Sequence, residues 1–264
     1  SEIKLSSIQQ FFASIFCWFL VIAGFFLPFS LLVVMAFEYS DSEQLIRLMD
    51  TGFNSIELAL WAASLTTVAA LLVALFSRLS LDHWRETPLQ ISSLGYAVPG
   101  TVLSMAMLAT FAPIDHFIND RAQYFGFSEP GLILSGTIFS VVFTYVVRFS
   151  AIANGTISSG IAQIPKSVDL APASLGVGFF SMIIRVHLPI LKTSILTAWL
   201  LVFVEAMKEL PAVLVLRPFN FETLSTQVYQ LISDEMLEQG ALGAILIVLL
   251  GLLPIIWLNS KETK

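Results

Sequence analysis

Apolar residues in this chain come in long unbroken runs, separated by short stretches where charges, glycine and proline gather. A helix that crosses the bilayer core needs about 20 mostly apolar residues. Six runs reach that size, near residues 11–35, 56–76, 91–111, 131–153, 190–216 and 241–258. The strict alternation of a membrane β-barrel is missing. The first run is too long for a signal-peptide core, lacks a small-residue cleavage site and leads into Phe37-Glu38-Tyr39, so it is read as a span. The pattern predicts an all-α polytopic membrane protein of six helices. Residues 1–264 form one transmembrane domain, with no internal repeat at the scale of a span pair and no separate soluble unit.

Composition agrees. Hydrophobic residues make up 56% of the chain and charged ones 12%, and mean hydropathy is +0.84. Membrane lipid is therefore the expected surrounding. One cysteine, Cys17, cannot form an internal disulfide and makes no metal site. His83, His116 and His187 fall in different loops or run ends, without metal-ligand spacing. No metal or cofactor is expected, and nothing points to nucleic acid.

The basic residues orient the bundle. With both termini in the cytoplasm, Lys4, Arg78, Arg85, Arg148, Lys166, Arg185, Lys192, Lys261 and Lys264 lie inside, against Arg47, Arg121 and Arg217 outside. This is the positive-inside bias of an inner (cytoplasmic) membrane protein. The outer loops are acidic: Glu38, Asp41, Glu43 and Asp50; Asp115, Asp120 and Glu129; Glu222, Asp234, Glu235 and Glu238. They read either as solvated loops or as a surface that draws in a cation or basic partner.

Pro28, Pro99, Pro211 and Pro254 lie within or beside the spans and each removes a backbone donor. Ser92, Ser93, Gly95 and Gly100, and then Ser135 and Gly136, mark places of close helix approach. The segment from Gly95 to Thr101 is read as such packing, or as a kink beside a pathway.

Two segments carry the functional reading. The cytoplasmic loop at about 154–189 is half apolar, unlike a solvated linker. Within it, Ser167-Val168-Asp169-Leu170-Ala171-Pro172-Ala173-Ser174-Leu175-Gly176 predicts a short helix with Asp169 as N-cap, Pro172 in its first turn and Gly176 as its stop. In the fifth run, Glu205-Ala206-Met207-Lys208-Glu209-Leu210-Pro211 sets three ionisable groups in an apolar helix, where each costs roughly 2.5–3.5 kcal/mol unless it faces an interior or water. Glu205 and Lys208 share a face and can pair. Glu209 follows on a neighbouring face, and Pro211 should bend the helix. The group reads as a packing pair or as a gate of a translocation path formed by Glu205, Lys208, Glu209 and Pro211.

The loop resembles the cytoplasmic signature of ABC importer permeases: Glu-Ala-Ala, three residues, Gly, nine residues, Ile, one residue, Leu-Pro. Leu170-Ala171-Pro172 stand in the Glu-Ala-Ala places, and Gly176, Val186, Leu188 and Pro189 follow at the family spacing. Lys208 through Pro211, Leu216 through Phe219 and then Thr223-Leu224 resemble the ferric-iron permeases of that class, as do Val98-Pro99-Gly100-Thr101 and Val147-Arg148-Phe149 more weakly. The resemblance implies a type I importer permease bundle around a path between two halves. Residues Asp169–Gly176, Val186, Leu188 and Pro189 would couple it to cytoplasmic ATPase subunits, and a periplasmic solute-binding protein would deliver ferric iron. Family members carry two such halves. This chain looks like the C-terminal half of one, or like a homodimerising single half.

The chain has no Gly-Lys-Ser/Thr phosphate loop, so ATP hydrolysis is expected in a separate subunit and not here. Thiamine and polyamine permeases share the loop spacing and stay open as alternatives. A secondary transporter would show an inverted repeat, and an intramembrane enzyme would need a catalytic set within the spans; neither is seen.

Overall fold

A computed structural model of the chain describes residues 6–39, 41–80, 84–165, 167–169 and 178–262, and every element among them is helical. Helix α1 (Ser7–Tyr39) starts at a capping box, in which Ser6 Oγ accepts from the Gln9 N–H and Gln9 Oε1 accepts from the Ser6 N–H at 3.0 Å. Its ladder widens to a π-turn at Ile22–Phe26, just ahead of Pro28. A proline lacks the N–H its turn requires and crowds the carbonyl four residues back; a wider turn accommodates both. The same device recurs at Ile183–His187, just ahead of Pro189.

Helix α2 (Ser42–Leu79) is capped by Asp41, whose carboxylate accepts from the Gln44 N–H at 2.7 Å. At 1.5 Å per residue it is about 57 Å long, well beyond the ~30 Å hydrocarbon core, so part of it stands outside the apolar slab. Ala59, Ala62, Ala63, Ala70 and Ala74 are buried along it. With no side chain beyond Cβ, they let α5 (Ile138–Ala162) and α6 approach closely. Helix α6 is assembled from Phe179–Met182, the π-turn and Leu188–Met207. These three helices form the core, with Tyr145, Phe149, Ile157, Leu191 and Met207 fully buried.

The expected third span, 91–111, is displaced. A short helix α3 (Thr87–Ser92) and a 3-10 turn (Leu94–Ala97) precede a break, and α4 runs from Gly100 to Tyr124. The residue before a proline is held out of the helical region; Val98 takes φ −85° and ψ 130°, so helix resumes only after Pro99. Asn154 on α5 donates to Ser92 Oγ at 2.7 Å and ties α3 to the core. The fourth span also shifts, from 131–153 to Ile138–Ala162. The fifth is not continuous over 190–216, because α6 stops at Met207 and α7 (Pro211–Leu216) begins anew.

Asp115, expected in an acidic outer loop, is instead buried on α4. Its carboxylate accepts from the N–H groups of Ile133, Leu134 and Ser135 at 2.8–3.1 Å and from the Ser135 hydroxyl at 2.6 Å. It therefore folds the following turn rather than attracting solute. The segment after α7 contains a helix the hydropathy pattern did not announce, α8 (Leu224–Ser233), capped by Thr223. Helix α9 (Leu237–Glu262) packs on α8, α6 and the Leu27–Tyr39 part of α1, whereas Ser7–Val21 of α1 has no buried residue.

Among the described residues five helices are long and apolar enough to cross a membrane: Ser7–Tyr39, Glu43–Leu79, Gly100–Tyr124, Ile138–Ala162 and Phe180–Met207. The apolar stretch Leu237–Leu252 of α9 supplies a sixth candidate and agrees with the predicted count.

Candidate functional site

The break between α6 and α7 gathers the charged residues. At the end of α6, Lys208 Nζ lies 2.8 Å from Glu205 Oε1, the i,i+3 pair anticipated from spacing. Lys208 is 54% exposed and Glu205 29%. An ion pair this open contributes little. Lys208→Met is therefore expected to lower stability by less than about 1 kcal/mol, measured as thermal unfolding in detergent. A loss of several kcal/mol would show that Lys208 carries more than this pair.

Glu209 behaves differently. It leaves the helix between Met207 and Pro211, and its side chain is only 8% exposed. Its Oε2 lies 3.3 Å from Arg148 Nε, and Oε1 accepts from the Ala212 N–H at 3.4 Å, capping α7. The Glu209 carbonyl accepts from Ser225 Oγ at 3.0 Å and from the Tyr145 hydroxyl at 3.4 Å. The start of α4 covers the pair: a Cβ on Gly100 would collide with Arg148 Nη1 and lie 3.1 Å from Glu209 Oε1. Thus α4, α5, the α6–α7 break and α8 meet at one buried ion pair. Pro211 takes the first turn of α7, where a missing N–H costs nothing, so it starts a new helix rather than bending an old one.

Arg148 was counted with the cytoplasmic basic residues, but it lies in the middle of α5 and is 19% exposed. The signal that could have found it was present: an arginine inside one apolar run implies a carboxylate inside another. Spacing along one helix cannot reveal a partner on a second.

Among the loop residues, Asp169 does not act as an N-cap. Residues 167–169 are themselves helical, and its carboxylate is bound by Arg78 and His187, each at 2.8 Å. Leu170, Ala171, Pro172, Ala173, Ser174, Leu175 and Gly176 lie outside the described residues. Val186 sits in the π-turn, and Leu188 and Pro189 open the regular part of α6. The site residues therefore fall into two groups, one at the base of α6 and one at its far end.

Two open cavities flank the bundle. One of about 490 Å³, between α2 and α8, is lined by Arg47, Asp50, Asn54, Glu222, Gln227 and Asp234. The other, of about 580 Å³, lies between α5 and α6 near the loop and is lined by Thr156, Ser159, Gln163, Thr193, Ser194 and Thr197. Among the described residues the second is lined by hydroxyls and the Gln163 amide, with no charged side chain. Among the described residues no group of His, Cys, Asp and Glu is placed to hold a metal ion.

No family model matches the chain. It is 26% identical over 257 residues to the Fe(3+)-transport system permease protein FbpB 2 of Haemophilus influenzae, covering 96% of this chain and 47% of that protein. It is 25% identical over 267 residues to the putative 2-aminoethylphosphonate transport system permease protein PhnV of Salmonella choleraesuis, covering 92% and 93%. The chain thus spans about half the length of the first relative and nearly all of the second. Among solved structures it superposes on a bacterial alginate ABC transporter in complex with an alginate-bound periplasmic protein, with a TM-score of 0.73, 12% identity and coverage of 97% of this chain and 93% of the other. An amino acid ABC transporter superposes with a TM-score of 0.54, 17% identity and coverage of 85% and 98%. The fold is that of an ABC importer permease, and the sequence resembles the ferric-iron permeases.

Proposed function

We propose that this chain, a multi-pass membrane protein with the fold of an ABC importer permease, is the membrane-spanning permease of an ATP-driven importer and passes ferric iron released by a periplasmic binding protein. The observation that carries the iron reading is the likeness to FbpB 2, which runs over 96% of the chain. It includes the α6–α7 break, where Lys208-Glu209-Leu210-Pro211 stands. The protein sits in the bacterial inner membrane with both termini in the cytoplasm. A second permease half, in the same polypeptide or in a second copy, completes the path, and separate cytoplasmic ATPase subunits drive it through the segment between α5 and α6. That segment is shorter than the predicted loop at 154–189, because α5 runs on to Ala162 and α6 starts at Phe179.

The Arg148–Glu209 pair serves as the gate: it holds α4, α5, α7 and α8 together at the place where helix α6 is interrupted. Lys208 beside it would repel a ferric ion, so Glu209 acts by positioning helices and not as an iron ligand. The ion then leaves through the hydroxyl-lined groove between α5 and α6, whose described lining holds no carboxylate to retain it.

A phosphonate cargo is the second reading, because the resemblance to PhnV covers nearly the whole of both chains. Proteoliposomes with the complete permease, ATPase and binding protein separate the two: uptake of radiolabelled ferric ion is expected, and uptake of 2-aminoethylphosphonate instead would replace the iron reading. A second experiment tests coupling. Gly176→Asp adds a charge where the family signature keeps a glycine, so import is expected to fall roughly a hundredfold while membrane insertion is unchanged. Import at the wild-type rate would remove the coupling role of the loop.

A further inference from the structure

Four segments of chain are joined through Asp169 and Arg78 where α2 and α5 end and α6 begins. Arg78, in the last turn of α2, donates through Nε to Asp169 Oδ2 at 3.0 Å, and its Nη2 is 2.8 Å from the same oxygen. The other guanidinium N–H groups donate to the carbonyls of Ile161 at 2.8 Å, Ile164 at 3.1 Å and Pro165 at 3.2 Å, at the end of α5. On its other side, Asp169 Oδ1 lies 2.8 Å from His187 Nε2, in the π-turn at the base of α6. An N–H on Nε2 donates there, and Nδ1 is 3.3 Å from the Met182 carbonyl. His187 is completely buried, and Arg78 is 11% exposed.

We infer that Asp169 is a positioning residue for energy coupling: its carboxylate is the joint through which a displacement of the loop moves α2, α5 and α6 together. This rests on the permease reading proposed above. Asp169 immediately precedes Leu170, where the signature segment begins. A loop held only by its two peptide connections would swing without displacing α2, because a flexible tether transmits no torque. Charge-assisted hydrogen bonds from a planar guanidinium fix direction as well as distance. Arg78 is already bound to the end of α5, so a pull on Asp169 reaches two core helices at once, and His187 carries it to the third. The π-turn beneath His187 gives α6 a compliant point at which to respond.

A simple staple is the rival, and it predicts a different result. A staple stabilises the bundle, so its loss lowers ATP hydrolysis and import in proportion. A joint sets how much transport each ATP yields. Both rates are measured in proteoliposomes holding the complete permease, its ATPase and its loaded binding protein, with ferric ion and 2-aminoethylphosphonate as the probes. Asp169→Asn keeps the shape and one acceptor but loses the charge. It is expected to retain ATP hydrolysis to within about threefold while solute imported per ATP falls roughly tenfold or more. His187→Gln, which keeps an N–H donor at similar reach, should preserve that ratio, and His187→Leu should not. An unchanged ratio in Asp169→Asn, or a proportional fall in both rates, overturns the joint. If Asp169→Asn does not assemble, equal ratios in the two His187 variants overturn it. A wild-type complex that neither hydrolyses ATP nor imports either probe defeats the permease reading itself, a failure distinct from that of the joint.

Discussion

Arg148→Met is expected to cost about 3–5 kcal/mol of stability. The reason is the carboxylate it abandons. Glu209 is 8% exposed, and among the described residues the cation paired with it is Arg148 at 3.3 Å. Lys208 cannot substitute, since its ammonium is 2.8 Å from Glu205 on an open face. Taking one member from a buried pair leaves the other charged in a medium that does not solvate it. Removing both is far milder, so Arg148→Met with Glu209→Leu should recover most of the loss. Thermal unfolding of the detergent-solubilised protein measures all three. A single variant that melts with the wild type would mean that Glu209 finds solvent, and the gate would lose its basis. Arg148→Lys is expected to assemble but import poorly, because a compact, strongly hydrated ammonium is a poor substitute for a guanidinium in a buried pair.

Gly95→Val comes next. Gly95 lies in the 3-10 turn ahead of α4, and a Cβ there would overlap the carbonyl of Val147 on α5. A side-chain tip can swing aside, but a backbone carbonyl inside a helix cannot. The turn must retreat from α5, which costs up to about 3 kcal/mol through overpacking and also strains the Asn154–Ser92 bond that ties α3 to the core. Gly52→Ala on α2 is the control, because nothing lies within 4 Å of its added Cβ. It should be neutral or slightly stabilising, since alanine favours helix. Equal melting temperatures for Gly95→Val and the wild type would contradict the close approach of these elements.

Comparing these two sites shows where reading the chain succeeded. Gly95 was legible as a point of close packing because small residues cluster beside it, although the partner was not. The Glu205–Lys208 pair was legible because both groups lie on one helix, three residues apart. The Arg148–Glu209 pair joins residues 61 positions apart in the chain, and no periodicity links two helices. Arg148 was even assigned to the cytoplasmic side, because charge counting treats an arginine near a run's end as a loop residue. Around Pro99 the chain reads as close packing or a kink, and at Pro211 as a bend; both are breaks. Hydropathy averages over a window and does not register one lost donor, whereas the backbone must stop and restart there.

Hydrophobicity is a local property summed along the chain. The sequence by itself therefore determined that this is a six-span helical membrane protein, and its signature spacing pointed to an importer permease. Which charges are buried, which carboxylate folds a turn and which one joins three helices depend on what lies across a gap between elements. Those assignments are decided by packing: the energy of an ion pair depends on distance and desolvation, and both exist only once α2, α4, α5 and α6 have come together.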